Sequence, residues 1–167
     1  EQGASLAANA FGRVAGGKPG FCLATSGPGA TNLVTGIADA YADSVPMIAL
    51  TGQVPTNLLG TDAFQETDMT GICLPFTKKT FLMKEISDAE KIFKEAYELS
   101  INGRPGPVLI DIPKDVQNAE VELDDNWEKQ FEMPQYKRFY NAHPMAIDKA
   151  LNLLVSAKKP LILTGHG

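Results

Sequence analysis

The sequence has few of the features that mark membrane, secreted or nucleic-acid-binding proteins. Only two cysteines occur in 167 residues, Cys22 and Cys73, and neither lies in a metal-ligand spacing. No apolar run approaches the roughly 18 residues of a membrane span. The 15 basic residues are outnumbered by 20 acidic ones and form no stripe suited to a nucleic-acid backbone. We therefore expect an intracellular globular protein in a reducing setting, with Cys22 as a buried, inert thiol and with neither a membrane nor a nucleic-acid partner.

The two ends of the chain also lack features of a complete polypeptide. The first residue is Glu1 rather than Met, and residues 1–20 carry no basic segment followed by a long apolar one. The last residues, KPLILTGHG, are typical of a strand and turn that lead onward. We therefore expect a piece of a longer polypeptide.

Hydrophobic periodicity predicts strands that alternate with helices. The apolar residues of the first helix recur at helical spacing, at Leu6, Ala10 and Val14. The sequence SDAE, residues 87–90, is a capping box that predicts the start of a later helix. This alternation predicts an α/β fold with a parallel sheet covered by helices on both faces. The predicted strands span 21–26, 45–52, 78–83 and 107–113, and the predicted helices span 1–15, 28–43 and 87–101.

After Lys114 the sequence becomes charged, aromatic and aperiodic up to about Asn141. We expect a first domain at 1–117 and an interdomain linker at 118–142. A new helix beginning near Pro144 and the final apolar strand predict that 143–167 starts a second α/β domain.

The sequence TSGPGATNL, residues 25–33, places glycines between a predicted strand and a predicted helix. A phosphate-binding P-loop needs a Lys after the glycines, which is missing here. A dinucleotide fingerprint needs a third glycine where Asn32 stands, so only its first two positions match. Gly27 and Gly29 allow a close backbone approach, and Asn32 adds an amide donor and acceptor. From the residues alone, a surface for a flat heterocycle and a plain strand-to-helix turn both remain open.

The sequence GTDAFQE, residues 60–66, falls in a loop too long for a simple connection. Phe64 and Gln65 could line a pocket there, or Phe64 could anchor the loop by packing. Glu1, taken alone, is typical of a solvated charge at a helix start.

Four segments together resemble the acetohydroxyacid synthase (acetolactate synthase) family of thiamine-diphosphate enzymes. SGPGATN is shared widely among such enzymes, whereas GQVP followed by GTDAFQE is far more specific to this family. The resemblance is strong over 1–117 and weaker beyond, and it implies the pyrimidine-binding domain of the large catalytic subunit, without its N-terminal part. The segments are EQGA, KPGFCLATSGPGATNLVTGIADAYADSVPMIALTGQVP, GTDAFQET and GRPGPVLIDIPKDVQ.

The resemblance assigns a catalytic role to Glu1. In the family a Glu at this position hydrogen-bonds N1′ of the cofactor's aminopyrimidine and favours the imino tautomer, which relays acid–base catalysis. Gly27, Pro28 and Asn32 would face the pyrimidine ring and would not hold the diphosphate. The resemblance therefore implies that the glycine-rich loop binds a heterocycle.

The resemblance also assigns residues to the substrate and to a second cofactor. Phe64 and Gln65 match catalytic positions near the reacting end of thiamine diphosphate. Arg104, Gly165 and Gly167 match positions that touch a structural FAD. Magnesium is expected, with its ligands outside this chain, so no metal ligand is assigned here.

The reaction implied is decarboxylation of pyruvate and condensation with a second 2-keto acid, pyruvate or 2-ketobutyrate. Implied partners are further copies of the subunit, in a homodimer or tetramer, and a regulatory small subunit. The implied location is the cytoplasm, or the plastid in a eukaryote, and this chain alone is expected to be inactive. Another thiamine-diphosphate decarboxylase, carboligase or pyruvate oxidase, and a non-catalytic paralogue, remain alternatives.

Overall fold

The computed structural model describes residues 1–122 and 141–165, and the chain divides into two compact units, Glu1–Pro134 and Gln135–Gly167. The first unit contains four strands and six α-helices among its described residues, and the second contains one helix. In chain order these are α1 (Gln2–Val14), β1 (Gly20–Ala24), α2 (Pro28–Thr31), α3 (Val34–Ala42), β2 (Met47–Gln53), α4 (Met69–Cys73), β3 (Lys79–Leu82), α5 (Ala89–Ile101), β4 (Pro107–Pro113), α6 (Lys114–Gln117) and α7 (Pro144–Ser156).

The four strands form one parallel sheet in the order β1-β2-β4-β3. In the register of the sheet, Met47 of β2 stands opposite Gly20 of β1 and opposite Pro107 of β4. The parallel α/β fold predicted from the alternation of elements is therefore confirmed. Because all strands run the same way, their carboxyl ends meet at one edge, where ligands of such sheets bind.

Helices cover both faces of the sheet at its central strands β2 and β4, as the sequence predicts, whereas one face of β1 is exposed. On one face, Met47 and Ala49 pack with α1, α3 and α4 in a core that also buries both cysteines. On the other face, Ile48 packs with Ala96 of α5 and with Val108. Continuous apolar strands such as β2 and β4 are what two covered faces require.

The buried side of α1 is not the one marked by its large apolar residues. The helix buries Ser5, Ala8, Asn9 and Gly12, whereas Leu6 and Val14 are exposed. Small side chains are needed because α1 lies close to its neighbours: a Cβ on Gly36 of α3 would lie 2.6 Å from Ser5 Cβ.

The outer side of α1 and the edge strand β1 together expose large apolar side chains. Phe21 and Leu23 of β1 are 55% and 70% exposed, and Phe11 of α1 is 52% exposed. A strand whose outward residues are apolar is typical of one that is covered in a larger assembly.

Three local predictions are wrong. The single helix expected over 28–43 is two helices, because the chain makes a tight turn at Leu33, whose N–H donates to Ala30 O over 3.1 Å. The expected capping box does not form: Ser87 Oγ contacts Glu85, and a short 3-10 turn at Ile86–Asp88 precedes α5.

The third wrong prediction is the strand at the end of the chain. Residues 157–165 form no strand, because within the described residues of the second unit no other strand is present to pair with them.

The helix expected near Pro144 is confirmed as α7, and His143 caps it, its Nδ1 accepting from Met145 N over 3.3 Å. In the described part of the chain, no helix is both long and apolar enough to span a membrane. The domain boundaries at 117 and 142 stay predictions, and most of the expected linker lies outside the described residues.

Candidate functional site

The carboxylate of Glu1 faces the end of the glycine-rich loop. Glu1 is the N-cap residue of α1, but its side chain makes no capping hydrogen bond. Instead its Oε2 accepts from Asn32 Nδ2 over 3.3 Å. Asn32 is available because it lies in the turn between α2 and α3, with its side chain exposed. Two residues 31 positions apart thus place a carboxylate and an amide side by side.

The two glycines of the loop let neighbouring residues pack closely against the backbone beside this pair. Gly29 lies next to Glu1, since a Cβ built on Gly29 would be 3.5 Å from Glu1 Oε1 and 2.7 Å from Thr25 Cγ2. Gly27 has a φ of +64°, which glycine adopts readily and other residues rarely do. Pro28 follows as the first residue of α2, where it needs no N–H donor.

A second loop, residues 54–67, closes back onto Gly27. A Cβ on Gly27 would lie 2.8 Å from Gln65 Cβ and 3.0 Å from Gln65 O, so this glycine lets the two loops touch. Phe64 precedes this contact and is 89% exposed, which rules out a packed anchor as its role within the described residues. The structure therefore brings Gln65 to the glycine-rich loop and leaves the Phe64 ring outside it.

A cavity of about 610 Å³ opens at the carboxyl ends of β1, β2 and β4. Gln65 borders it, so the cavity adjoins the contact between the two loops. Its lining is mixed: Leu23, Leu50 and Ile112 are apolar, and the polar side chains are Thr25, Ser26, Thr51, Gln53, Gln65, Lys114 and Gln117.

Beside this cavity lies a buried carboxyl group that the sequence reasoning missed. Asp111 is 1% exposed; its Oδ1 accepts from Thr51 Oγ1 over 2.6 Å and its Oδ2 from Gln53 Nε2 over 2.9 Å. Burial raises the pKa of Asp111 to about 6, against the two hydrogen bonds, and the charge of Asp68 adds to the rise. The signal in the sequence is the lone acid within the apolar strand PVLIDIP.

Of the residues expected to touch FAD, only Arg104 belongs to the first unit. The Arg104 guanidinium closes the end of α3: its Nε donates to Ser44 Oγ over 2.7 Å, and the group lies 5.6 Å from the Tyr41 ring centre. Gly165 belongs to the second unit and is exposed there, and Gly167 lies outside the described residues. A flavin contact at these positions stays a prediction.

Cys22 is buried, as the sequence predicts, and so is Cys73. Cys22 and Cys73 are buried and unpaired, and burial raises the pKa of each thiol to about 12. A thiol of this kind is inert at neutral pH, so neither cysteine is a candidate nucleophile.

The donor set fits an aminopyrimidine. Such a ring presents a nitrogen acceptor next to an amino donor, and Glu1 with Asn32 offers a carboxyl group beside an amide that both donates and accepts. The positions that Cβ atoms on Gly27 and Gly29 would take are filled by Gln65 and Thr25, so the fit to a ring rests on the Glu1 and Asn32 groups. No comparable feature marks a diphosphate site here, and among the described residues no group of three or more His, Cys, Asp or Glu side chains is placed to hold a metal ion.

Comparison with known proteins agrees with this geometry. Residues 1–72 match the family model described as thiamine pyrophosphate enzyme, N-terminal TPP binding domain. This range contains Glu1, the glycine-rich loop and the 54–67 loop. Over residues 1–72 the chain is thus similar to the N-terminal cofactor-binding domain of thiamine pyrophosphate (thiamine diphosphate) enzymes.

Relatives narrow the class further. The whole chain is 53% identical to the acetolactate synthase large subunit of Corynebacterium glutamicum and 51% identical to the probable acetolactate synthase large subunit of Methanocaldococcus jannaschii. It is 45% identical to the chloroplastic acetolactate synthase of Arabidopsis thaliana. The chain covers only 26%, 28% and 25% of these proteins, respectively. Along its full length the chain is therefore homologous to about a quarter of an acetolactate synthase large subunit, as the sequence motifs predict.

Proposed function

We propose that the natural polypeptide carrying this chain is a thiamine-diphosphate-dependent acetolactate synthase. The reaction joins two molecules of pyruvate, or pyruvate and 2-ketobutyrate: one carboxyl group leaves as carbon dioxide and a new carbon–carbon bond forms between the remaining fragment and the second keto carbon. The observation that carries the proposal is the Glu1 carboxylate within hydrogen-bond distance of the Asn32 amide at the end of the glycine-rich loop.

In this proposal the chain supplies the pyrimidine half of a cofactor site. Glu1 would hold a proton on the carboxyl oxygen that faces a ring nitrogen, and Asn32 would keep that carboxyl oriented. Gly27, Pro28 and Gly29 would lie along the ring face. When bound, thiamine diphosphate supplies an electron sink for the carbanion that decarboxylation leaves.

The 54–67 loop would border the substrate. Phe64 offers an exposed aromatic ring and Gln65 an amide beside the glycine-rich loop, which are suitable groups for shaping a small keto-acid pocket and excluding water. Both residues are proposed as catalytic-site residues on this basis.

Further components follow from the family resemblance. We propose that magnesium and the diphosphate are held by parts of the polypeptide outside this chain, and that FAD is bound with Arg104, Gly165 and Gly167 nearby. A homodimer or tetramer and a regulatory small subunit are proposed as partners; the large-subunit names of relatives support the latter. A cytoplasmic location is proposed, or a plastid location if the source is a eukaryote.

The stoichiometry of the products tests the proposal. The natural polypeptide is supplied with pyruvate, thiamine diphosphate, magnesium and FAD, and both acetolactate and carbon dioxide are measured. An acetolactate synthase releases one carbon dioxide for each two pyruvates and each acetolactate. Carbon dioxide with acetaldehyde, or with reduction of an added oxidant, would point instead to a decarboxylase or an oxidase. No turnover by a folded, cofactor-loaded protein would point to a non-catalytic paralogue.

A further inference from the structure

The turn that carries Phe64 and Gln65 has an unfavourable backbone. Gly60, Asp62 and Gln65 have φ values of +81°, +57° and +62°, so three of six consecutive residues adopt a left-handed conformation. Two of the three are not glycine, and for such residues this conformation is disfavoured. A side-chain contact is therefore needed to hold the backbone of this turn in place.

Glu66 provides that restraint. Its Oε1 accepts from the backbone N–H of Gly60, and its Oε2 accepts from the backbone N–H of Ala63 over 3.1 Å. Its own N–H donates to Ala63 O over 2.9 Å. The backbone N–H of Gly60 is the main cause that lowers the pKa of Glu66, so the group is a charged carboxylate at neutral pH. One side chain thus ties together the first and middle residues of the turn.

The turn that Glu66 holds is in contact with the candidate site. Gln65 directly precedes Glu66, and its backbone oxygen and Cβ lie against Gly27. Gly29, two residues further on, lies beside Glu1. A change in the backbone of the 60–66 turn would therefore displace first the Gln65–Gly27 contact and the exposed Phe64 ring.

We propose that Glu66 is a positioning residue, whose carboxylate holds the 60–66 turn so that Gln65 seats on Gly27 and Phe64 projects outward. This inference rests on the proposed function, because it assigns Glu66 a part in the same site. Glu66 acts only through Phe64 and Gln65 and contributes no group to the reaction itself.

Hydrogen exchange tests the restraint without reference to activity. The glutamine side chain of Glu66→Gln is uncharged and has one oxygen, so it cannot accept from the backbone N–H groups of Gly60 and Ala63 at once. Hydrogen exchange at these two backbone N–H groups should therefore accelerate by on the order of tenfold or more. The matched control is Glu90→Gln, which makes the same chemical change on α5, where the carboxylate pairs with Lys94. Unchanged exchange at Gly60 and Ala63 in Glu66→Gln would overturn the proposal.

A double-mutant cycle tests whether the effect runs through Gln65 and Phe64. In the natural polypeptide, Glu66→Gln should lower kcat for acetolactate formation, whereas Glu90→Gln should not. In a background carrying both Phe64→Ala and Gln65→Ala, the backbone contact with Gly27 is kept, but the Phe64 ring and the Gln65 amide that Glu66 positions are absent. The further effect of Glu66→Gln on kcat should therefore shrink to less than about twofold. An equal fold-loss in both backgrounds would contradict a positioning role.

The two experiments separate this proposal from the proposed function. If the wild-type polypeptide forms no acetolactate, the proposed function fails, and the exchange rates at Gly60 and Ala63 alone decide whether Glu66 holds the turn. If acetolactate forms and the exchange rates do not change, the proposed function stands and Glu66 has no positioning role.

Discussion

Gln53 donates a hydrogen bond from its Nε2 to Asp111 Oδ2 over 2.9 Å, which joins the ends of β2 and β4. The same Nε2 donates to Thr67 O over 2.7 Å, and Gln53 Oε1 accepts from Val54 N over 2.9 Å. One amide therefore fixes both the first and the last residue of the 54–67 loop to the sheet. The buried Asp111 carboxyl is the acceptor that orients this amide.

Asp111 should make the sheet less stable as pH rises. Its pKa is about 6 in the folded protein and 3.8 as a reference, so the folded state holds a proton that the unfolded state releases between these values. The contribution of protonated Asp111 to the free energy of unfolding is complete below about pH 4 and is lost as pH rises through about 6. The shift corresponds to a maximum of about 3 kcal/mol.

Native-state hydrogen exchange of β4 amides at about pH 5 and about pH 7 checks this dependence. Asp111→Asn removes the titration, so the difference in opening free energy between wild type and variant should change with pH. Asp115→Asn is the control, because hydrogen bonds from Thr56 lower the pKa of Asp115 from its ordinary value of 3.8, so Asp115 stays charged at both pH values and its wild-type–variant difference should be equal at the two. A wild-type–variant difference for Asp111→Asn that is equal at both pH values would contradict the prediction.

Gly27→Ala should damage the site more than an equivalent change elsewhere. Gly16 has the same φ of +64° but open space where a Cβ would lie, so Gly16→Ala should cost only the backbone strain of about 1 kcal/mol. Gly27→Ala adds a clash with Gln65 and should also weaken thiamine diphosphate binding. Calorimetric titration of both variants with the cofactor is the measurement, and equal affinities would contradict the proposed contact.

Arg104→Lys should loosen the end of α3. The guanidinium donates to Ser44 Oγ and to the carbonyls of Tyr41 and Ala42, and a lysine cannot make these contacts together. We expect a loss of about 1 kcal/mol, seen as faster amide exchange in the last turn of α3. A fall in FAD content with no change in exchange would favour a direct flavin contact instead.

The elements of the sheet could be predicted from the sequence because their signals are local. Apolar runs indicated the four strands, and turn residues bounded them. The buried side of α1 could not be predicted, because it is set by close packing of Ser5 against Gly36 rather than by the positions of Leu6 and Val14. The strand predicted in KPLILTGHG, residues 159–167, is not formed over its described residues for a similar reason, since a strand depends on a partner strand.

The site shows the same division. Family motifs identify Glu1 and Asn32 as site residues, and the fold places Asn32 Nδ2 3.3 Å from Glu1 Oε2. The roles of Glu66 and Asp111 depend on contacts that no periodicity reveals. A carboxylate that accepts backbone N–H groups of a turn resembles any exposed acid in the sequence, and positive φ at Asp62 follows from the loop closing on itself.

The rate of acetolactate formation by Glu1→Gln tests the central claim most directly. The natural polypeptide is assayed at saturating pyruvate and cofactors, with wild type and Glu90→Gln as controls. A glutamine keeps the shape and the contact with Asn32 but cannot exchange a proton, so the rate should fall by roughly 10²–10⁴-fold, while Glu90→Gln stays at the wild-type rate. A Glu1→Gln variant that forms acetolactate at the wild-type rate would contradict the account.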